Sequence, residues 1–251
     1  MSMSEIIRKR KSVRKYDPAP LEGAALEKVR TLIGNLKPLY PEICYSIEIA
    51  NKTKGMFNIK APHYLVFCSE EKNGYLENIG FIGQQLDLLL SESGIGTCWL
   101  GAAKPLNDSI KQPLPTEPNA VPSKNEAGLA LSHVICMAFG KPAESLHRES
   151  SAFKRKPLSA ISKGTDPRLE AARLAPSAIN AQSWYFIADN GKIHCYRKKA
   201  NPLLGLMFNK MHSIDMGIAI CHIAEESENF RFTQEADAPE RKGHVYTGTV
   251  N

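Results

Sequence analysis

The sequence has 251 residues and a mass of 27.7 kDa, with 43% hydrophobic and 23% charged residues. These values exclude a disordered or collagen-like chain and predict one or two globular domains with a sizeable core. The net charge of +6 is mild, and the longest uncharged apolar run, residues 127–140, is shorter than the ~20 residues that cross a bilayer. Because the N-terminal residues show no signal-peptide pattern, we expect a cytoplasmic protein with no membrane partner.

The first half of the chain predicts helices that alternate with strands. Residues 2–15 predict a helix that starts with a capping box at residues 2–5 and stops at the prolines of residues 17–20. Apolar residues at helical spacing predict a helix over 21–36 and a longer one over 75–93. The remaining apolar or alternating segments predict strands, at residues 43–50, 61–68, 97–100 and 129–139.

The same order of elements begins again after residue 163. A short helix at 169–173 precedes two strands, 184–189 and 192–197, which an Asn190-Gly191 turn joins as a hairpin. A long helix at 212–226 resembles the earlier one, with Gly217 in the place of Gly83, and His244-Val245 begins a last strand. The two passes predict an α+β fold made of a first repeat, 1–163, and a shortened second repeat, 164–251, that either share one core or fold separately.

Six positive charges lie within eight positions near the N-terminus, at residues 8–15. Such a run is typical of a solvated helix face, of an anion site or of an arm that binds nucleic acid. The absence of any known nucleic-acid-binding sequence pattern argues against the last of these.

The cysteines and histidines give no sign of a metal site. The six cysteines form no CxxC pair and the seven histidines no HExxH motif, whereas a zinc site needs ligands at close spacing. Four of the cysteines lie in apolar runs, where a thiol behaves as a small hydrophobic side chain. We therefore expect reduced cysteines in the core and no bound metal.

Four segments together resemble a known family. Residues 10–16 (RKSVRKY) resemble the opening motif of the FMN-dependent nitroreductases, and residues 174–184 (LAPSAINAQSW) resemble that family's A-P-S-x-x-N-x-Q-P-W element. Residues 94–101 (GIGTCWLG) are similar to its glycine-rich turn, and the basic segment within 140–158 is similar to the one that closes the unit. The resemblance implies a nitroreductase-like mixed sheet flanked by helices.

The resemblance also implies an activity. An FMN-dependent oxidoreductase would take hydride from NADH or NADPH at flavin N5 and pass it, in a ping-pong cycle, to a nitroaromatic, a quinone or a similar small acceptor. The flavin carries this chemistry, so no catalytic side chain is required. A protein that holds FMN without turnover, for storage or regulation, is the alternative.

The resemblance assigns flavin contacts to particular residues. Arg14 would lie at the N1–O2 edge of the ring, Arg10 and Ser12 at the phosphate and ribityl chain, and Arg155 at the phosphate. An extended segment would place Arg10, Ser12 and Arg14 on one side. Asn180 would face the mixed ring edge or act only as a turn residue, and residues 94–101 would bind through main-chain groups or form an ordinary turn. The full implied set is Arg10, Lys11, Ser12, Arg14, Trp99, Leu100, Gly101, Lys154, Arg155, Pro176, Ser177, Ala178, Asn180 and Gln182.

One departure from the family pattern concerns spacing. Ordinary members carry the first two motifs ~30 residues apart, and their flavins lie between two protomers, whereas Ser12 and Asn180 are separated by 168 positions here. Each half lacks the motif that the other keeps. This complementary loss resembles the single-chain, two-repeat branch of the family, which implies an intramolecular pseudo-dimer with one FMN, as a monomer or a loose homodimer.

Overall fold

The computed structural model of the chain describes residues 1–55, 59–106, 131–200 and 205–251. The chain folds into two compact units. The first unit consists of Met1, Lys9–Tyr75 and Gln85–Arg148, and the second consists of Ser2–Arg8, Leu76–Gln84 and Glu149–Asn251. The division into sequence repeats at residue 163 stays a prediction.

The first unit contains a four-stranded antiparallel sheet. The strands of this unit are β1 (Tyr45–Ala50), β2 (Thr53–Lys54), β3 (His63–Ser69), β4 (Gly96–Leu100), β5 (Lys104–Pro105) and β6 (Ser132–Gly140). The main sheet has the order β1-β3-β6-β4, and β2 pairs with β5. The central strands β3 and β6 are buried along most of their length, which is why the sequence there is almost continuously apolar.

The second unit contains a five-stranded mixed sheet. Its strands are β7 (Ser162–Lys163), β8 (Trp184–Asp189), β9 (Lys192–Lys198), β10 (Phe232–Thr233) and β11 (His244–Val250). They lie in the order β10-β11-β9-β8-β7, and among these strands only the β7–β8 pair is parallel. Asn190 (φ 49°) and Gly191 (φ 77°) both adopt left-handed conformations between β8 and β9, so the predicted tight hairpin is confirmed.

Six α-helices accompany the sheets in the described part of the chain. They are α1 (Met3–Lys9), α2 (Ala24–Gly34), α3 (Tyr75–Glu92), α4 (Leu158–Ile161), α5 (Arg168–Leu174) and α6 (Gly205–Glu225). The predicted long helices are confirmed, although α6 begins seven residues earlier than its apolar pattern indicated. Residues 129 and 130 of the predicted central strand lie outside the described residues, and β6 begins at Ser132.

The first helix is shorter than predicted. Its capping box is confirmed, because the Ser2 amide donates to Glu5 Oε2 (2.8 Å) and the Glu5 amide donates to Ser2 Oγ (3.3 Å). The helix ends at Lys9, however, so the prediction of a helix to residue 15 is wrong. The following residues are extended because Val13 N–H donates to the Thr97 carbonyl of β4 (2.8 Å).

Two glycines allow α3 and α6 to touch backbone to backbone within the second unit. A Cβ atom at Gly80 would lie 2.1 Å from the Ile214 carbonyl oxygen, and one at Gly217 would lie 2.0 Å from the Glu77 carbonyl oxygen. The contact is reciprocal, since each glycine meets the residue three positions before the other. It matches Gly217 with Gly80, three residues before the Gly83 that the sequence comparison suggested.

The described cysteines form no disulfide, and five of the six are buried. This arrangement agrees with their predicted role as small core side chains. Among the described residues, no helix is both long and apolar enough to span a bilayer.

Candidate functional site

The opening motif forms an extended segment in the first unit. Residues 10–16 run antiparallel to residues 142–148, with bridges at Arg10–His147 and Tyr16–Pro142. On the other side, Val13 is fully buried and pairs with β4. The segment therefore acts as an added strand, which fixes the direction of each of its side chains.

Arg10 is buried rather than open to solvent. Its side chain is 1% exposed, and its Nε lies 2.8 Å from Asp87 Oδ2. Thr97 Oγ1 donates a short hydrogen bond to the other Asp87 oxygen. Asp87, on α3, thus contacts both the opening segment and β4. Its loss would leave the buried Arg10 charge without a partner, which is strongly destabilising.

Arg10 keeps one hydrogen-bonding group unused within the described part of the chain. Its Nη1 is buried without a hydrogen-bond partner, while its Nη2 donates weakly to Ser12 Oγ (3.4 Å). An orphaned guanidinium N–H is costly. It marks a place where an acceptor group of a ligand would be stabilised.

Two further arginines, Arg14 and Arg148, lie beside Arg10. Arg14 is exposed, and its guanidinium donates to the Ser12 carbonyl (3.4 Å). Arg148 donates from Nε to the Arg10 carbonyl (3.0 Å). Burial, together with the positive charges of Arg10 and Arg14, lowers the pKa of Arg148 to about 10. The three guanidinium groups therefore form one cationic cluster, which we call the arginine cluster (Arg10, Arg14 and Arg148).

One further carboxylate adjoins the arginine cluster. Glu144 accepts from the Arg14 amide (2.7 Å) and lies 3.4 Å from Lys11 Nζ. These two contacts, the backbone bond foremost, lower the pKa of Glu144. Counting Asp87 as well, the described residues of this neighbourhood include four cations and two carboxylates, so it is positive overall.

The glycine-rich turn packs on the opening segment. A Cβ atom at Gly96 would lie 2.8 Å from a Val13 methyl group, so only glycine permits this approach. We expected a tight turn at Gly96; it lies in β4 instead, and the left-handed residue after α3 is Gly94 (φ 81°). The structure thus brings residues 10–14 and 96–100 together.

The remaining predicted residues of this turn differ in exposure. Trp99 stacks on Phe67 with ring centroids 5.6 Å apart, so its indole packs on the sheet. Leu100 is buried and Gly101 is exposed at the turn after β4, where the Ala103 amide donates back to Leu100 (3.3 Å).

In the second unit, Arg155 organises the second motif. Its Nε donates to the Ala175 carbonyl (3.1 Å), its Nη2 to the Leu174 carbonyl (3.2 Å) and its Nη1 to Asn180 Oδ1 (2.7 Å). The side-chain Nδ2 of Asn180 donates in turn to the Lys154 carbonyl (2.8 Å). These two side chains, predicted as ligand contacts, are engaged in holding the loop.

The other predicted residues of the motif complete the same scaffold. Gln182 is buried, and its Oε1 accepts from the Lys156 amide (2.7 Å) while Ser177 Oγ accepts from the Gln182 amide (3.0 Å). Pro176 and Ala178 lie on either side of Ser177, at the start of the 3₁₀ turn Ala178–Asn180. We call residues 176–182 the motif loop.

The motif loop is strained. Ile179 (φ 47°), Asn180 (φ 58°) and Gln182 (φ 49°) all adopt left-handed backbone conformations, which are rare for residues other than glycine and most unfavourable for a β-branched side chain. Ile179 is also 86% exposed. Strain of this kind persists only where the surroundings fix it, and it is concentrated at functional sites.

Asp215 of α6 holds the start of this loop. It is 3% exposed, and its Oδ1 accepts from the Ala178 amide (2.9 Å). Burial raises the pKa of Asp215 to about 7, and the hydrogen bond from Ala178 opposes the rise.

Sequence reasoning missed three residues at these places: Asp87, Arg148 and Asp215. Two of them carried a signal, since each is a single carboxylate within an apolar helical run, at residues 86–90 and 214–220. A charge at such a position is rarely buried unless it has a partner. Arg148 carried no comparable signal, because it is one of several basic residues between 141 and 163.

The first unit fits an anionic nucleotide such as FMN. A phosphate group carries up to two negative charges and several acceptor oxygens, which suit an arginine cluster with excess positive charge, a nearby hydroxyl and an orphaned N–H. Among the described residues, no three His, Cys, Asp or Glu side chains come together as metal ligands would.

Comparison with known proteins identifies relatives. The sequence profile of the family described as "Putative TM nitroreductase" matches residues 2–227. A protein of Thermotoga maritima described as "a putative nitroreductase" has a structure that matches 100% of this chain and 93% of its own, with a TM-score of 0.63 and 20% identity. At this identity the likeness concerns the fold, and it confirms the predicted nitroreductase-like mixture of helices and sheet. No curated protein matches the chain.

Smaller proteins match part of the chain. A nitroreductase family protein of Clostridium novyi NT matches 60% of this chain and 90% of its own, with a TM-score of 0.41 and 17% identity. An FMN-dependent nitroreductase of Clostridium difficile R20291 matches 59% of this chain and 93% of its own, with a TM-score of 0.40 and 18% identity.

Proposed function

The chain belongs to the nitroreductase family whose profile matches residues 2–227, and from this premise we propose that it is an FMN-dependent NAD(P)H oxidoreductase. The observation that carries the proposal is the arginine cluster, in which Arg14 donates to the Ser12 carbonyl and Arg148 donates to the Arg10 carbonyl of the segment that bears the opening motif. FMN supplies hydride chemistry when it is bound, accepting from NADH or NADPH and donating to a nitroaromatic, a quinone or a similar small acceptor.

The residues of this chain bind and tune the cofactor in this proposal. Arg14 is exposed and aligned by its own Ser12 bond, so its positive charge is available to the ring edge, where it would favour the reduced, anionic flavin. Arg148 and the Nη1 of Arg10, which has no hydrogen-bond partner among the described residues, are the groups best placed for phosphate oxygens. The carbonyl-bound Arg155 and Asn180 keep the motif loop in shape.

The absorption spectrum of the protein tests this proposal. We expect FMN to co-purify or to bind on addition, with visible flavin bands and a rise in melting temperature. Anaerobic addition of NADH or NADPH should then bleach the bands, and a quinone or nitroaromatic should restore them. A protein that stays colourless with excess FMN and shows no thermal shift would contradict the proposal.

The same titration separates the alternative function. An FMN-binding protein without turnover would take up the cofactor and keep its colour when either nicotinamide nucleotide is added. Comparison of NADH with NADPH in parallel titrations gives the donor preference.

A further inference from the structure

Asp215 makes an unusual contact for a buried carboxylate. Its side chain is 3% exposed, one oxygen accepts the Ala178 amide at 2.9 Å, and the other is buried with no hydrogen-bond partner in the described parts of the chain. A buried acid with a single neutral donor is expensive to keep ionised. The bond from Ala178 to this carboxylate is therefore the contact that needs a physical explanation.

Ala178 is where the strained part of the motif loop begins. The next two residues, Ile179 and Asn180, both have positive φ angles, and Gln182 has a third. The far side of the loop is held separately, by Arg155 through Asn180 and by Lys156 through its amide bond to Gln182. Asp215 therefore holds the N-terminal end of the loop through its side chain, separately from Arg155 and Lys156.

We propose that Asp215 is a positioning residue that latches the motif loop, and that its ionised form holds the loop more firmly than its protonated form. The link to ligand binding rests on the proposed function, because the family resemblance implies that residues of the motif loop, Asn180 among them, contact the flavin. A hydrogen bond to a carboxylate is roughly twice as strong as one to a neutral acceptor. The latch should thus tighten when Asp215 loses its proton.

The pH at which this happens follows from burial. Burial raises the pKa of Asp215 to about 7, against the opposing effect of the Ala178 bond. As pH rises through 7, the ionised fraction grows and the Ala178 bond gains charge assistance. Because the folded-state pKa lies above the unfolded value, Asp215 stabilises the fold at low pH, and this contribution is lost as pH rises from the unfolded pKa to the folded one. Asp215 therefore predicts two effects at high pH: the motif loop is held more tightly, and the free energy of unfolding is lower.

Other titratable and charged groups lie on the elements packed around α6. They are Lys210, His212, Cys221, His222 and Glu225 on α6 itself, Glu77 on α3, Arg168, Glu170 and Arg173 on α5, Tyr185 and Asp189 on β8, Lys192, His194, Cys195, Tyr196, Arg197 and Lys198 on β9, and Arg155 and Lys156 beyond the loop. Among the described residues, burial and the Ala178 bond are the two causes that shift the pKa of Asp215. His212, one turn away, has a pKa that burial lowers below its ordinary value, so it titrates at a lower pH than the latch.

The Ala178 amide reports on the latch directly and without any flavin. Its proton exchange and its NMR shift would be followed in the intact chain from pH 5.5 to 8.5, with exchange corrected for the intrinsic pH dependence. We expect protection to rise by about 5- to 10-fold across pH 7, because the bond changes from neutral to charge-assisted. In D215N protection should stay at the low-pH level. D189N, the same substitution at an exposed residue that ends β8, should follow the unmodified chain.

The second measurement is FMN affinity over the same pH range. Across pH 7 the dissociation constant should fall several-fold more in the unmodified chain and in D189N than in D215N, in which only the second ionisation of the FMN phosphate at about pH 6 remains. If Asp215 had only a structural role, D215N would weaken FMN binding at every pH and would leave the pH dependence of binding unchanged.

The two readouts distinguish the possible failures. A flat Ala178 titration in the unmodified chain overturns the latch whatever FMN does, and this measurement decides even when D215N does not fold. An Ala178 amide that titrates near pH 7 in a protein that binds no FMN supports the latch and contradicts the proposed function.

Discussion

At the scale of single residues, the site depends on carboxylates that stand alone in apolar helices. Asp87 fixes Arg10 and Thr97 around α3, and Asp215 fixes Ala178 beside α6. Neither residue belongs to a family motif, so the resemblance gave no reason to select them. The sequence shows that both carboxylates lie in apolar runs. It does not show which residue, far away in the sequence, each of them contacts. This is why the motif segments could be found in the sequence and their anchors could not.

The charges of the opening segment should contribute unequally to FMN binding. Arg14→Ala should weaken binding by about 10- to 100-fold, since a hydrogen bond to a charged group contributes about 1.5–3 kcal/mol. Lys15→Ala is the matched control, because Lys15 is exposed like Arg14 but follows it on the alternating segment. Isothermal titration of FMN measures both. Equal losses would indicate a diffuse basic patch without a defined site.

Arg148 should recognise the phosphate rather than the ring. Arg148→Gln should weaken FMN binding by about 10-fold, because it removes one charge-assisted contact, and it should leave riboflavin binding unchanged. Lys141→Gln, an exposed cation in the same stretch that pairs with Asp17, should affect neither ligand.

The same titration tests whether Arg155 is the phosphate ligand that the family resemblance implies. Arg155 already donates to three acceptors in the second motif, so Arg155→Gln should weaken FMN and riboflavin alike by loosening the loop. A loss confined to FMN in Arg155→Gln, with none in Arg148→Gln, would instead support Arg155 as the phosphate ligand.

At the scale of elements, periodicity predicted the elements well where burial dominates. The strands β3 and β6 and the helix α3 follow their apolar patterns to within a few residues. The helix predicted over residues 2–15 is wrong beyond Lys9 because backbone pairing with β4 and residues 142–148 competes successfully with local helix propensity. Such pairing depends on chain segments that lie ~85–135 residues away in sequence and leaves no local trace.

The reciprocal glycine contact between α3 and α6 gives a prediction about stability. Gly80→Ala should destabilise the protein by about 1–3 kcal/mol, because its Cβ would lie 2.1 Å from a backbone oxygen and the helices would have to separate. Gly34→Ala, in α2, meets nothing within 4 Å and should stabilise it by up to about 1 kcal/mol through helix propensity.

Urea unfolding midpoints measure both changes. A Gly80→Ala protein as stable as the original would mean that α3 and α6 do not approach closely at this point.

At the scale of the whole molecule, the sequence predicted the α+β class and the family, and both are confirmed. Fold class follows from the order of elements, which a sequence displays directly. The two-repeat pseudo-dimer stays a proposal, and the reciprocal pairing of Glu77–Gly80 with Ile214–Gly217 supports it, since such reciprocity is the mark of a two-fold relation. The sequence did not predict which compact unit each segment joins. Residues 2–8 and 76–84 lie in the first half of the chain but belong to the second unit.

The number of flavins per chain tests that proposal. We expect one FMN per chain, because the arginine cluster of the first unit has no counterpart among the described cations that begin the second repeat. Arg168 is bound to both oxygens of Asp166 and to the Gly191 carbonyl, and Arg173 is paired with Glu170. These two arginines are already paired with carboxylates, which leaves little positive charge there for a second phosphate.

Quantitative flavin extraction and mass spectrometry of the intact, native protein would give the stoichiometry. Asn180→Ala should lower FMN affinity or shift the flavin spectrum even though it lies 168 positions from Ser12 in the sequence, because it removes the contact by which Arg155 shapes the motif loop. Asn251→Ala, at the chain end where the side chain donates to Thr233, serves as the control. A measured ratio of two FMN per chain would contradict the single-site pseudo-dimer, since it would require a second phosphate site other than the arginine cluster.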